Sequence, residues 1–180
     1  MSFTLTLPNK GLFLITGNNG TGKTTLLYIL AGLDTHYTGS VTVDGKELKK
    51  MKEKERARYR REKVSLLLPR GNLLPLLSVE ESLSLGVKKG REVKSPINIS
   101  LKESSFSLSG GEEILIALAY EIAKEKKIYL FDEVFDALDS NHRKELSKTS
   151  LVLLVSHVIR LFFRKQKEYR SLRNGRGSDY

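Results

Sequence analysis

Apolar and polar positions alternate through Phe3–Leu7 (FTLTL), the pattern of a half-buried strand, and Pro8-Asn9-Lys10-Gly11 reads as a turn. Leu12 to Thr16 (LFLIT) is a nearly unbroken apolar run, which suits a strand buried on both faces. It runs into a glycine-rich segment and then a helical pattern with Leu26, Ile29, Leu30 and Leu33 on one face. Val41-Thr42-Val43 followed by Asp44-Gly45 predicts a short strand entering a tight turn. Residues 46–62 read as an exposed helix, and Val64 to Leu68 as a buried strand stopped by Pro69. Between 79 and 107, Gly86, Gly90 and Pro96 break the pattern into short helices and loops. Residues 110–125 are helical in pattern. Ile128 to Phe131 predicts a short strand, Asn141 to Ser147 a short helix, and Leu151 to Val155 another buried strand. Strands alternating with helices predict an α/β fold with a mainly parallel sheet.

Composition narrows the class. A chain of 180 residues is one domain, or one domain with a small lobe. With 39% hydrophobic and 29% charged residues, a packed core is attainable and wholesale disorder is excluded. No apolar run reaches the roughly 18 residues of a spanning helix, and the N-terminus lacks the pattern of a secretory signal. Absence of cysteine excludes disulfide scaffolds and thiolate metal sites, and fits a reducing compartment. Three histidines (36, 142 and 157) leave little for a His-rich metal centre.

The net charge of +10 is concentrated. Residues 46–63 carry ten basic and four acidic groups, and residues 158–180 seven and two, so the remainder is close to neutral. Such runs suit nucleic acid or anionic lipid, or else a solvated helix of mixed charge. Glu53, Glu55 and Glu62 interrupt the first run and favour the solvated helix.

Three segments carry chemistry. Gly17-Asn18-Asn19-Gly20-Thr21-Gly22-Lys23-Thr24, followed by Thr25, fits G-x-x-x-x-G-K-[ST], with a buried strand before it and a helix after. Glycines let backbone N–H groups curl round phosphate oxygens, and the helix N-terminus adds partial positive charge. Lys23 is expected at the β/γ-phosphates and the Thr24 hydroxyl on Mg²⁺. Ile128-Tyr129-Leu130-Phe131-Asp132-Glu133 sets two carboxylates at a strand's C-terminal end, where ligands of parallel sheets bind. Asp132 is expected to hold Mg²⁺ through water and Glu133 to polarise an attacking water. Leu108-Ser109-Gly110-Gly111-Glu112 opens a helix, and reads both as an anion cradle and as a capping box between Ser109 and Glu112.

Taken together and in this order, these segments resemble the ATP-binding-cassette ATPases over almost the whole chain. The phosphate loop is 17–24, the signature LSGGE is 108–112, and the Walker B strand is 128–133. Asp136-Ala137-Leu138-Asp139 looks like the D-loop, and Ser156-His157 like the switch histidine. The resemblance implies a P-loop NTPase fold with a small antiparallel β region and a helical lobe. It implies a single ATP-binding domain over 1–180, with the lobe within about 70–115. It also implies ATP hydrolysis with Mg²⁺ by a head-to-tail homodimer or pseudo-dimer. In that dimer Ser109, Gly110 and Gly111 of one copy contact the γ-phosphate held by the other, and His157 hydrogen-bonds the same phosphate.

The segments LAGLDTHYTGSVTVDGKEL and RYRREKVSLLLPRGNLLPLLSVEESL are most similar to transporter subunits of the lipoprotein-release and macrolide-export type. That branch implies a membrane permease partner, a peripheral cytoplasmic position and no direct membrane span. LSGGEEILIALAYEIA is also similar to DNA-repair and chromosome-maintenance heads, which insert a long coiled coil before the signature. Here only 83 residues separate Thr24 from Leu108, without sustained heptads, so the transporter branch is favoured and nucleic acid is not expected. The alternative is a slow or non-hydrolysing regulatory or DNA-associated module.

The chain departs from the family pattern in places. Pro69 stands where the Q-loop glutamine is expected, and the sole glutamine of the chain is Gln166. Proline offers no side-chain oxygen for metal or water, so weak hydrolysis is expected. The signature ends in Glu112 rather than glutamine. The 38 residues of 70–107 imply a reduced helical lobe. Phe3 is the nearest aromatic candidate for adenine, although its alternation with Leu5 and Leu7 suits a core position.

Overall fold

The computed structural model describes residues 4–69, 73, 74, 76–85, 104, 107–134, 148, 150–156 and 170–173. The strands are β1 (Gly11–Thr16), β2 (Thr42–Val43), β3 (Lys46–Glu47), β4 (Val64–Leu67), β5 (Ile128–Asp132), β6 (Leu151–Ser156) and β7 (Arg170–Arg173). The helices are α1 (Lys23–Leu30), α2 (Glu53–Lys63), α3 (Val79–Ser84) and α4 (Gly110–Ala123). Five strands form one sheet in the order β4-β5-β6-β1-β7, and every pairing in it is parallel. The antiparallel part is the β2–β3 pair.

The unbroken apolar runs follow from burial on both faces. Leu12, Leu67, Tyr129, Phe131, Val152 and Leu154 face one layer, where Ile116, Ala117 and Leu118 of α4 cover them. Phe13, Ile15, Val64, Ile128, Leu130, Leu153 and Val155 face the other, with Leu27 of α1, Ala31, Leu48 and Tyr59. Alternate residues of β1, β4, β5 and β6 thus serve opposite layers, and the polar exception within β4 is Ser65, itself buried. Each fully buried Leu or Phe in these layers contributes about 1.5–3 kcal/mol. The register sets the site's location: Thr16, the last residue of β1, lies opposite Ser156, and Asp132 opposite Val155. The loop after β1 and the carboxylate ending β5 therefore leave the same C-terminal edge of the sheet.

Two expectations are corrected. Residues 4–8 form no strand, although the alternation persists as burial: Leu5 and Leu7 are half-buried while Thr4 and Thr6 are exposed. Leu7 packs on the α1-side layer without a ladder partner, and a strand requires one. The exposed helix expected over 46–62 begins only at Glu53. Asp44 (φ 50°) and Gly45 (φ 75°) make a two-residue hairpin turn that pairs Thr42 with Glu47. A 3₁₀ turn at Leu48–Lys50 then buries Leu48.

Helix α2 is the solvated helix of mixed charge. Glu53 pairs with Arg56 and Arg60, Glu62 with Arg58, and Asp44 with Lys63. Its one buried anchor is Tyr59, whose hydroxyl donates to the Leu30 carbonyl at 2.8 Å. Burial pushes that phenol's pKa up. Among the described residues no helix is long and apolar enough to cross a membrane. Phe3, the helix expected at Asn141–Ser147 and most of the expected helical lobe lie outside the described residues.

Candidate functional site

The segment leaving β1 curls round a lysine. The Lys23 ammonium donates to the carbonyl oxygens of Gly17 and Asn18, each at 2.8 Å, and the residue is only 6% exposed. Thr21 closes the outer turn, its hydroxyl donating to the Asn18 carbonyl at 2.9 Å. Gly20 (φ 75°) and Gly22 (φ 84°) take the left-handed conformation that the curl requires. A Cβ at either would meet no heavy atom within 4 Å, so the glycines are required for backbone conformation and the outer surface is open. Gly22 caps α1, whose first turn contains no acidic residue. Asn18, Asn19, Gly20, Thr24 and Thr25 are exposed around the buried ammonium. A helix N-terminus, a cation and an open outer surface together fit an anion of phosphate type.

The loop is joined to the second motif. The Thr24 hydroxyl donates to Asp132 Oδ2 at 2.7 Å across 108 residues of sequence. Asp132 is 3% exposed, whereas Glu133 beside it is exposed. Glu133 holds a left-handed backbone (φ 57°), and its N–H donates to the Val155 carbonyl of β6 at 2.9 Å. The two neighbouring carboxylates thus sit in opposite settings, one buried against the loop and one presented to solvent.

A hydroxyl and a carboxylate in hydrogen-bond contact are hard oxygen donors, and they fit Mg²⁺. The described residues hold no group of three acidic, His or Cys side chains that could cage a metal unaided. A cation held by Thr24 and Asp132 would be completed by phosphate oxygens and water.

At α4 the observed geometry is the capping box. The Ser109 hydroxyl and backbone N–H donate to Glu112 Oε2 at 2.6 and 2.8 Å, and the Glu112 N–H returns to the hydroxyl at 3.4 Å. The hydroxyl first, and the backbone N–H second, hold the Glu112 carboxyl below the usual carboxylate range. Gly110 and Gly111 are exposed, with open space where a Cβ would stand. Pro69 is half-buried two residues beyond β4. His157, the segment Asp136–Asp139 and Gln166 lie outside the described residues.

One constellation escaped the sequence analysis. Glu121 of α4 is buried (8% exposed) and accepts from the buried Ser65 hydroxyl of β4 at 2.5 Å and from Lys124 at 2.5 Å. A signal existed: 114, 117, 118 and 121 follow apolar-face spacing, and a glutamate occupies the last of them.

Comparisons with known proteins bear on the family. A family model described as ABC transporter matches residues 1–136. The macrolide export ATP-binding/permease protein of Campylobacter jejuni is 35% identical over 145 residues, 73% of this chain and 23% of that protein. A lipoprotein-releasing system ATP-binding protein of Chlorobium chlorochromatii is 34% identical over 73% of this chain and 59% of its own length. The chain thus spans a quarter to three fifths of these two relatives. The Buchnera aphidicola lipoprotein-releasing ATP-binding protein is 30% identical over 89% of this chain and 80% of that one. Among solved structures, the ATP-binding cassette MJ0796, a dimer in a post-hydrolysis state with ADP and Pi, superposes with a TM-score of 0.71. It is 25% identical and covers 86% of this chain and 78% of its own. With a family model matched over residues 1–136 and relatives aligned over most of its length, the chain belongs to the ABC transporter family of ATP-binding cassettes.

Proposed function

We propose that the chain binds MgATP and hydrolyses it to ADP and phosphate as the nucleotide-binding subunit of a transporter, driving a separate membrane permease from the cytoplasmic face. The observation that carries this reading is the Thr24–Asp132 hydrogen bond, which fastens the lysine-centred loop to the strand end bearing Glu133. Backbone N–H groups of residues 17–25 and the Lys23 ammonium bind the β- and γ-phosphates. Thr24 and Asp132 hold Mg²⁺, which when bound supplies charge neutralisation on the phosphate oxygens. Glu133 orients the attacking water and takes its proton as the water oxygen bonds to the γ-phosphorus and the bond to the ADP oxygen breaks. His157 hydrogen-bonds the γ-phosphate. Ser109, Gly110 and Gly111 of a second copy close over it, so that nucleotide becomes part of the dimer interface.

Leu74, Leu76 and Leu85 are 57%, 97% and 43% exposed on the segment after β4, which supports docking of an apolar permease element there. The charge pairing on α2 supports a reading without nucleic acid.

The test is sedimentation of the Glu133→Gln variant, which is expected to be monomeric alone and to double in mass on adding ATP. Unchanged mass would count against the nucleotide sandwich. Co-expression with a candidate permease is expected to retain the chain in the membrane fraction.

Pro69 sets the expected rate. It fixes its own φ and biases Leu68 toward extended backbone, but it offers nothing to the metal or the water. Basal hydrolysis is therefore expected to be weak. Pro69→Gln is expected to raise it roughly two- to tenfold, the scale of one added hydrogen bond. A vigorous native ATPase with no gain in that variant would show that another group, such as Asn72, serves the site.

A further inference from the structure

Of the buried polar side chains in the described residues, Thr16, Lys23 and Asp132 lie at the phosphate site; among the others, Ser65, Ser82, Glu121 and Ser150, the pair Ser65 and Glu121 is buried for no purpose that hydrolysis requires. They meet each other. The Ser65 hydroxyl of β4 donates to Glu121 Oε2 at 2.5 Å, and the Lys124 ammonium donates to the other carboxylate oxygen, Oε1, at 2.5 Å. Lys124 also lies over the Tyr120 ring, 3.9 Å from its centroid. The two elements tied together are those that carry the signature and the Q-loop position. Helix α4 begins at the Ser109 cap, and β4 leads out to Pro69.

Apolar packing of Ile116, Ala117 and Leu118 holds α4 on the sheet but is non-directional. It leaves the helix's roll and slide weakly specified. A buried carboxylate bonded on both oxygens is directional. Such groups are costly to bury, and their best-attested use is fixing register. From Glu121 to Ser109 the helix is twelve residues long, about 18 Å, so a tilt of about 10° at the clamp carries Ser109 by roughly 3 Å. That displacement exceeds the tolerance of a hydrogen bond.

We propose that Glu121, clamped by Ser65 and Lys124, is a positioning residue that fixes α4 on β4 and so aims Ser109–Gly111 at the nucleotide of a second copy. This rests on the nucleotide-sandwich reading given above.

The test uses the full chain carrying Glu133→Gln, with ATP as the ligand. Sedimentation gives the ATP concentration at half-dimerisation, and thermal melting gives stability. Ser65→Ala with Glu121→Leu replaces the clamp by apolar groups, a change that buried ion pairs often tolerate without loss of stability. The thermal midpoint is expected to hold, while the ATP requirement rises by at least about fivefold, the lower end of typical coupling between sites. Glu121→Gln, which still accepts from Ser65, is expected to stay near the parent. A purely structural pair would move the melting temperature and leave the ATP requirement unshifted, and that result overturns the proposal. Should the double variant fail to fold, Ser65→Ala alone is read in the same way. If the parent itself fails to dimerise with ATP, the sandwich reading falls and takes this proposal with it. If the parent dimerises and the clamp variants match it, only the clamp falls.

Discussion

Lys23→Ala is expected to lose ATP binding, with affinity in calorimetry reduced by about a hundredfold or more. The ammonium is 6% exposed and sits inside the loop on the Gly17 and Asn18 carbonyls. A triphosphate entering the cradle meets a cation already in place. Charge-assisted hydrogen bonds are worth about 1.5–3 kcal/mol each, and two of them to phosphate amount to roughly two to four decades of affinity. Truncation also leaves two carbonyls without their donor, but they border an open loop where water can replace it. The effect should therefore fall on ATP and only slightly on folding. Lys23→Met separates the two contributions, since it keeps most of the stem and removes the charge. Unchanged ATP affinity in either variant would mean that the loop is an ordinary glycine turn, and the nucleotide assignment would be lost with it.

Much of this architecture is legible in the sequence. The runs at 12–16, 64–68, 128–131 and 151–155 became β1, β4, β5 and β6 within a residue or two at their ends, because burial on both faces leaves an unmistakable apolar stretch. The phosphate loop was legible because its glycines, lysine and threonine serve one task at fixed spacing. Less could be read where polarity was the guide. The charged run at 46–63 hid the return strand of the hairpin, a 3₁₀ turn and a helix start, since lysine and glutamate are compatible with all three. Its buried anchors among solvated charges are Leu48 in the 3₁₀ turn and Tyr59 in α2. The alternation reported burial correctly at 4–7 but not pairing, because a strand depends on a partner the local sequence does not contain. The Thr24–Asp132 contact and the Ser65–Glu121 clamp join residues 108 and 56 positions apart. Such contacts depend on the order of strands in the sheet, which propensity and periodicity do not encode. The left-handed backbone of Glu133 is in the same class, since nothing in a Phe-Asp-Glu-Val string marks one of its members for positive φ.

That conformation bears on the second large effect. Glu133→Gln is expected to keep ATP affinity while slowing turnover by at least about a hundredfold, the lower bound for loss of a general base. Asp132 and Glu133 are adjacent and chemically alike, so their surroundings must divide the work. Asp132 is buried and committed to the Thr24 hydroxyl, which suits a group that holds position. Glu133 turns out of the strand at φ 57°, a conformation that costs a non-glycine residue about 1–3 kcal/mol, and it is kept there by its N–H on the Val155 carbonyl. The turn carries the residue out of the strand, and it is exposed at the edge where the phosphate loop opens. Glutamine preserves the size, the backbone bond and the fold, but it can neither accept a proton nor orient water by charge. The variant should thus bind ATP as tightly as the parent and accumulate the ATP-bound dimer. Single-turnover measurement of ADP release from radiolabelled ATP separates chemistry from binding. Asp132→Asn, by contrast, should weaken the Mg²⁺ dependence of binding itself, because it alters the group bonded to Thr24. If Glu133→Gln turned over at the parent rate, another group would be the base, and the exposed carboxylate at the end of β5 would have no part in hydrolysis.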